Sequence, residues 1–267
     1  MSHSLAELRR APHTSISQLK TYLQCPRKYF FHYIEKAEPA FRPLAISFGH
    51  SFHAAVQHHL VRSTQEQPVP RDELHEVFRD ALEQATKAEG PPLLFEDEEQ
   101  DLGSVIDAGL RMLDAFVEKV PLPEKVLSIE VPFSLELMDP LTGEVLDRPL
   151  VGAIDAVVLE NGKPVIWELK TGKRRWGPDQ LEFDPQPTAY RMGARRYGLN
   201  NPEVKLLVTT KTKKPDVQVE HLVRHPGDEQ ELTELALSVH RAVDVGIDHR
   251  VRGWQCRSCQ YAGACAP

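Results

Sequence analysis

The sequence predicts an α/β protein in which a helical N-terminal part precedes an antiparallel three-stranded meander and a final segment of helices and strands. Two observations carry this prediction. Apolar residues recur at helical spacing from residue 15 to about residue 118, and they alternate at a period of two from residue 125 onward. With 267 residues, of which 41% are hydrophobic, the chain is long enough for one sizeable core.

Four helical segments are expected before the sheet begins. The first starts with Ser15, and serine is a preferred N-cap residue because its hydroxyl accepts a hydrogen bond from the first turn. The acidic stretch FEDEEQD at residues 95–101 is expected to form a solvated helical face or loop. The four segments read SISQLKTYLQCPRKYFFHYIEK, SFGHSFHAAVQHHLVR, RDELHEVFRDALEQATK and DLGSVIDAGLRMLDAFVEKV.

Three antiparallel strands are expected next, because β-branched residues recur with a period of two and turn sequences separate the runs. Asn161-Gly162 between the second and third runs favours a tight hairpin. The strands read VLSIEVPFSLEL, PLVGAIDAVVLE and KPVIWELK. After the loop TGKRRWGPDQ we expect a helix over about Pro185–Tyr197, the strands VKLLVTTK and VQVEHLV, and a helix from Asp228 to about Val245.

The four cysteines lie at the two ends of the chain, at Cys25, Cys256, Cys259 and Cys265. Their layout and the change of pattern divide the chain into a mainly helical part at residues 1–120, a sheet-containing core at 121–250 and a cysteine-rich tail at 251–267. Cys256 and Cys259 form a C-x2-C pair, which lets two thiolates reach one tetrahedral centre. We therefore expect one four-thiolate site that joins the tail to the helical part.

By ligand count this site suits a [4Fe-4S] cluster or a zinc ion equally well. The alternatives are disulfides or unrelated thiols. Disulfides are disfavoured because the N-terminus has no apolar run typical of an export signal, and no later stretch is long enough to span a bilayer. We expect a cytoplasmic protein without a membrane partner.

The charge of the chain is unevenly distributed. The formal net charge is −7, which argues against a protein covered in basic residues. Residues 170–214 nevertheless contain eleven basic and four acidic side chains. Within this stretch, a loop with an aromatic residue is a candidate for contact with a nucleic-acid backbone, although a solubilising role stays open. The loop residues are Lys173, Arg174, Arg175 and Trp176.

Charged residues concentrate in the second and third strands of the meander. Asp155 lies among aliphatic residues, and Glu168 and Lys170 end the next strand. The hairpin would place Asp155 beside Glu168, and Lys170 on the same face as Glu168. Two carboxylates and the carbonyl of Leu169 form a hard-oxygen site suited to Mg²⁺ or Mn²⁺, and the ammonium could orient a water or neutralise developing charge. The structural alternative is an Asp155–Lys170 ion pair with Glu168 at the rim.

Five motifs together resemble the PD-(D/E)XK nucleases of the RecB type. The first three are the opening SISQLKTYLQCP, the segment FGHSFHAAV and the pair G-x-I-D with E-L-K-T-G. The fourth is QPTAY, and the fifth is CPRKY combined with C-x2-C-x5-C. The last resembles the four-cysteine iron-sulfur subgroup, which includes AddB-type nuclease domains and CRISPR-associated nucleases of spacer adaptation. The resemblance implies a restriction-endonuclease-like core at residues 121–250.

The resemblance also implies roles for individual residues. It makes Lys170 the catalytic lysine and places Gln186 and Tyr190 on one helix face near the scissile phosphate. The assignment of His53, rather than the nearby His50, His58 or His59, depends on its G-x-x-x-H spacing from Gly49. Pro187 departs from the usual pattern, and a second acidic role for Glu130 is open. The implied Mg²⁺ or Mn²⁺ ligands are His53, Asp155, Glu168 and Leu169, and the implied cluster ligands are Cys25, Cys256, Cys259 and Cys265.

The implied activity is a metal-dependent DNA exonuclease that acts on single strands or free ends. The implied cluster would hold the fold together without taking part in hydrolysis. A helicase or integrase protein partner is a further implication. The competing hypothesis is a non-catalytic nucleic-acid-binding or scaffolding subunit of such a complex, and a third is a zinc site in an unrelated α/β protein.

Overall fold

A computed structural model describes residues 4–64, 69–95, 101–139 and 141–265. The predicted acidic stretch lies mostly outside these ranges, since residues 96–100 are not described. The helices of the N-terminal part are α1 (Leu5–Leu8), α2 (Ile16–Gln24), α3 (Pro26–Tyr29) with a π-helical turn at Phe30–Ile34, α4 (Leu44–Ser63), α5 (Arg71–Lys87) and α6 (Leu102–Lys119). Two short parallel strands, β1 (Arg42–Pro43) and β2 (Leu93–Leu94), join the segments before α4 and after α5.

The central sheet has five strands in the order β3-β4-β5-β6-β7. Neighbouring strands are antiparallel except for β5 and β6, which are parallel. This mixed sheet with flanking helices confirms the predicted α/β, restriction-endonuclease-like fold class. The strands are β3 (Lys125–Leu135), β4 (Leu150–Glu160), β5 (Lys163–Gly172), β6 (Glu203–Thr210) and β7 (Val217–Leu222).

Three helices belong to the second half of the chain. They are α7 (Pro178–Phe183), α8 (Pro185–Ala194), which continues as a 3₁₀ turn at Arg195–Tyr197, and α9 (Pro226–Asp244). The sheet is covered on both faces. On one face Leu19 of α2, Tyr190 of α8 and Leu232 of α9 pack on the strands. On the other face Phe52 of α4 and Phe116 of α6 pack around Trp167 and Leu169. Burial of apolar side chains on both faces stabilises the sheet and fixes the ends of its strands relative to α4 and α8.

The N-terminal segment predicted as one helix is broken at Cys25. This residue has an extended backbone, ends α2 and precedes α3. The break has a simple cause, because Pro26 disfavours a helical conformation in the residue before it and lacks the amide hydrogen that would continue α2. Cys25 therefore lies at a corner between two helices.

The C-terminal tail packs against these first helices. The Tyr22 hydroxyl donates to the Ile247 carbonyl at 2.8 Å, and the rings of Phe31 and Tyr261 stack with centroids 5.5 Å apart. A 3₁₀ turn at Trp254–Ser258 carries the first tail cysteine. The two ends of the chain thus meet on one side of the molecule. None of the helices in the described ranges is long and apolar enough to cross a bilayer.

Candidate active site

Strands β4 and β5 stop pairing just where the predicted acidic residues begin. Their ladder runs from the Asn161-Gly162 turn to the pair Ala156 and Trp167. Beyond it, Oδ2 of Asp155 accepts a hydrogen bond from the Leu169 amide at 2.8 Å, so a side chain replaces the strand partner. The divergence opens a space between the two strands and directs Asp155 towards the end of β5.

Glu168 is the most deeply buried acidic residue of this region, with 0% of its surface exposed. Neither carboxylate oxygen makes a hydrogen bond of good geometry within the described chain. Lys170 Nζ lies 3.0 Å from Glu168 Oε1. Burial raises the pKa of Glu168, and the nearby Lys170 ammonium opposes that rise. For Lys170, burial acts to lower the pKa, but Glu168 and Asp155 raise it above its usual value. The alternative of an Asp155–Lys170 pair with Glu168 at the rim is not the observed arrangement.

Helix α8 completes the hydrogen-bond network. Lys170 Nζ donates to Gln186 Oε1 at 2.9 Å, and Gln186 Nε2 donates to the Tyr190 hydroxyl at 2.7 Å. That hydroxyl donates in turn to Asp155 Oδ1 at 2.9 Å. Gln186 and Tyr190 are one helical turn apart, so both face the ends of the strands. Burial, with Asp155 and Glu168 nearby, holds the pKa of Tyr190 well above its usual value, which keeps the phenol a donor.

Asp184 is a member of this network that the sequence analysis missed. It is the N-cap residue of α8 and accepts from the Gln186 amide at 3.0 Å. Its two oxygens also accept from Lys20 Nζ at 2.8 and 2.6 Å. The sequence held one signal for the cap, an aspartate before the proline that begins a helix. The partnership with Lys20 of α2 had no local signal.

Helix α4 brings His53 to the other side of the site. Its ring lies against the backbone of Leu169 and near Asp155 and Lys170, and burial lowers its pKa. Gly49, one turn earlier, faces β5, and a Cβ there would make an ordinary 3.6 Å contact with Thr171 Oγ1. His50 is exposed, whereas His53 is half-buried at the site. The structure thus brings His53 together with the acidic residues.

Glu130 lies on the neighbouring strand β3 in a left-handed conformation, with φ of +47°. It falls between the paired residues Ile129–Ala156 and Val131–Ile154, which places it opposite Asp155. Its carboxylate accepts from Gln57 Nε2 of α4 at 2.9 Å. A non-glycine residue in this conformation is uncommon and clusters near functional sites.

The described residues contain no group of three or more His, Cys, Asp or Glu side chains arranged closely enough to hold a metal ion. Each oxygen of Asp155 already accepts one hydrogen bond from the protein, and Lys170 lies beside Glu168 Oε1. The buried, unsatisfied oxygens of Glu168 nevertheless fit a divalent cation, because such a carboxylate otherwise carries an uncompensated desolvation penalty.

The sequence model of the PD-(D/E)XK nuclease superfamily matches residues 13–266. The chain belongs to this superfamily. Its match spans α2, the hairpin of Asp155 and Glu168, helix α8 and the cysteine tail. No curated protein matches the sequence.

Two solved structures resemble this chain. One is a "Putative exonuclease" from Eubacterium rectale, with a TM-score of 0.53 at 13% identity, where the match covers 94% of this chain and 88% of the other. The second is a protein designated SSO0001, with a TM-score of 0.44 at 15% identity over 98% of this chain and 91% of the other. At these identities the first likeness supports the fold alone.

The predicted DNA-contacting loop follows β5 of this nuclease fold. Lys173, Arg174 and Arg175 are exposed, and Arg175 forms an ion pair with Asp216 that helps hold the pKa of Asp216 at about 2. Trp176 packs partly on the core, and its amide donates to Gln218 Oε1 at 2.7 Å. The loop is therefore anchored at Trp176.

The basic surplus of residues 170–214 is partly neutralised inside the fold. Lys205 is buried on β6 and contacts Glu160 at 2.9 and 3.0 Å, and Arg195 pairs with Glu229. These side chains are structural and do not extend the loop into one basic face. Sequence counting could not separate them, because their acidic partners lie outside the counted stretch.

All four cysteines line one cavity of about 60 Å³ between the tail and the first helices. None of them is in a disulfide. Cys25 is buried and the three tail cysteines are half-buried. Their thiols share the cavity without adopting the geometry of a metal centre.

Proposed function

We propose that this protein is a divalent-metal-dependent DNA exonuclease that acts on single strands or free ends. The observation that carries the proposal is the fully buried Glu168, which lacks a hydrogen bond of good geometry beside Lys170. A buried carboxylate in this state is costly unless a cation completes it. Membership of a nuclease superfamily and an intact Asp155, Glu168 and Lys170 set support a catalytic role.

Mg²⁺ or Mn²⁺ would be held by Asp155, Glu168, the carbonyl of Leu169 and His53. Such an ion lowers the pKa of bound water and neutralises charge on the phosphate oxygens. Three of these four residues lie where β4 and β5 stop pairing with each other. Carboxylate and carbonyl oxygens are the ligands that both ions prefer.

Each remaining side chain of the network has a distinct task. The Lys170 ammonium, held between Glu168 and Gln186, would stabilise negative charge that develops on the phosphate. Gln186 holds Lys170 in place and would reach the substrate backbone. Tyr190 orients Asp155 through its hydroxyl. The exposed Lys173, Arg174 and Arg175 would contact phosphates further along the strand.

We also propose that the four cysteines bind a [4Fe-4S] cluster, with zinc as the less favoured occupant. The support is that Cys25 and the three tail cysteines line one cavity and that none of them forms a disulfide. Such a centre would close a loop of nearly the whole chain, so its loss should loosen the fold. Anaerobic purification should give brown protein with broad visible absorbance, which Cys25→Ser should lose. Colourless protein that contains zinc would reject the cluster.

The test of catalysis compares two carboxylate variants on end-labelled single- and double-stranded DNA with Mg²⁺, Mn²⁺ or EDTA. Glu168→Gln should abolish cation-dependent cleavage. Glu160→Gln is the matched control, because Glu160 also contacts a lysine, Lys205, but lies at the far end of β4. The Glu160→Gln variant should still cleave DNA. Absence of cleavage by cluster-loaded wild-type protein would favour a scaffolding subunit, which would act with a helicase or integrase partner.

A further inference from the structure

The C-terminal tail presents an exposed aromatic and basic surface, of which Arg250 and Arg252 also line the cysteine cavity. Trp254 is 78% exposed, whereas Trp167 is 1% exposed. Residues 249–265 contain three arginines and no acidic residue, although the whole chain carries a net charge of −7. The Trp254 surface is defined as Trp254, Arg250, Arg252 and Arg257.

The arginines of the Trp254 surface are available for an anionic ligand. All three are exposed. Arg250 and Arg257 have no ion-pair partner in the described part of the chain, and Arg252 donates to the Cys265 carbonyl at 3.3 Å. By contrast, Arg175 of the basic loop pairs with Asp216. Arginines in the same short segment as an exposed indole combine phosphate contact with a flat stacking face.

The position of this surface relates it to the active site. Arg250 and Arg252 line the cysteine cavity together with Gln24 and Lys28. Gln24 is on α2 four residues after Lys20, which corresponds to about 6 Å along the helix. Lys20 contacts Asp184, the cap of α8, and α8 carries Gln186 against Lys170. These contacts link the tail to the active site through α2 and α8. Four carboxylates line the groove beside Lys20, so that groove is not a basic path for a polyanion.

We propose that the Trp254 surface binds single-stranded DNA. The indole stacks on a base, and Arg250 and Arg257 contact phosphates. The stacking requires an unpaired base, because a paired base in a duplex has no free face within the stack. A contribution of this surface to cleavage at Lys170 rests on the proposed nuclease function, whereas the binding itself does not.

The first test measures anisotropy of labelled oligodeoxythymidylate in EDTA, so that binding is read without cleavage. Trp254→Ala should weaken binding roughly 5- to 150-fold, since stacking on one aromatic residue has that range of effect. Trp254→Phe should restore most of the affinity. Thermal unfolding and visible absorbance of both variants should match the wild type, because the side chain is exposed.

The second test uses the salt dependence of the same binding. The double substitution Arg250→Gln and Arg257→Gln should reduce the slope of log affinity against log salt by about 1.4, at about 0.7 per phosphate contact on a single strand. The control removes two exposed lysines near the opposite end of β5, by Lys125→Gln and Lys163→Gln, and should leave the slope unchanged. If Trp254→Ala fails to fold, this pair of double variants and Trp254→Phe carry the test.

Wild-type affinity in Trp254→Ala would overturn the proposal. So would an unchanged salt slope in the arginine variant, or Trp254-dependent binding that favours oligouridylate or duplex over oligodeoxythymidylate. Failure of the nuclease function has a different signature, namely Trp254-dependent binding in EDTA without any Glu168-dependent cleavage.

Discussion

The Tyr190 hydroxyl donates a 2.9 Å hydrogen bond to Asp155 Oδ1, which joins helix α8 to strand β4. The same hydroxyl accepts from Gln186, so the orientation of the Asp155 carboxylate depends on the position of α8. Asp155 therefore has both oxygens oriented by the protein, one by Tyr190 and the other by the Leu169 amide. Such supporting hydrogen bonds fix the direction of a metal-binding carboxylate.

Tyr190→Phe should lower cleavage about 10- to 100-fold, because loss of one orienting donor weakens metal affinity or activity by that amount. Raising Mn²⁺ concentration should recover part of the loss. The measurement is the initial rate across a cation titration. The control is Tyr197→Phe, which should cleave normally. Tyr197 lies in the 3₁₀ turn after α8, and its hydroxyl donates to the Pro132 carbonyl of β3. Equal rates for both variants would contradict the role of Tyr190.

Lys170→Ala should reduce cleavage at least about 100-fold, the usual cost of removing a group that stabilises transition-state charge. DNA binding in EDTA should be retained, since the exposed basic residues remain. Lys163→Ala, at the solvent-exposed start of the same strand, should leave both properties intact. Normal cleavage by Lys170→Ala would show that the active-site assignment is wrong.

Gly109→Ala should destabilise the helical part of the fold. A Cβ at this position of α6 would lie 2.1 Å from the Phe78 ring, which is itself fully buried. Overpacking of this kind costs about 1–3 kcal/mol, which exceeds the helix propensity that alanine gains. Chemical denaturation measures the difference. Gly103→Ala in the same helix meets only an ordinary 3.5 Å contact and should be neutral or stabilising.

Stability should fall as pH decreases from about 6.5 towards 4, partly because of His240. Burial, with Arg148 nearby, lowers the pKa of His240 from 6.5 to about 4. The unfolded chain therefore binds more protons in this window, so the free energy of unfolding decreases as the pH falls. His240→Gln should flatten the dependence between these values. If the unfolding midpoint of His240→Gln falls with decreasing pH as steeply as that of the wild type, His240 is not the cause of the pH dependence.

The control for that measurement is Asp216, whose ion pairs with Lys119 and Arg175 hold its pKa at about 2. A depressed carboxyl pKa contributes stability above its unfolded value of 3.8, and that contribution is lost as the pH falls towards 2. Wild type and His240→Gln should therefore behave alike below pH 4.

Much of the fold was predictable because its signals are local. The period-two runs and the Asn161-Gly162 turn predicted the meander, and both turn residues indeed have positive φ, of 50° and 70°. The predicted helix ends differ only slightly, with α8 ending at Ala194 before a 3₁₀ turn. The prediction of one continuous N-terminal helix was wrong at Cys25, because it did not take into account that Pro26 breaks the helix.

The sequence by itself determined the strand order of the hairpin, and with it the neighbouring positions of Asp155 and Glu168. Only the tertiary structure decided that Glu168 is fully buried and that Asp184 pairs with Lys20 across 164 residues. It also decided that Trp176 is anchored while Trp254 is exposed. The reason is physical. Hairpin register follows from adjacent residues, whereas burial and long-range ion pairs depend on how separate helices cover the sheet.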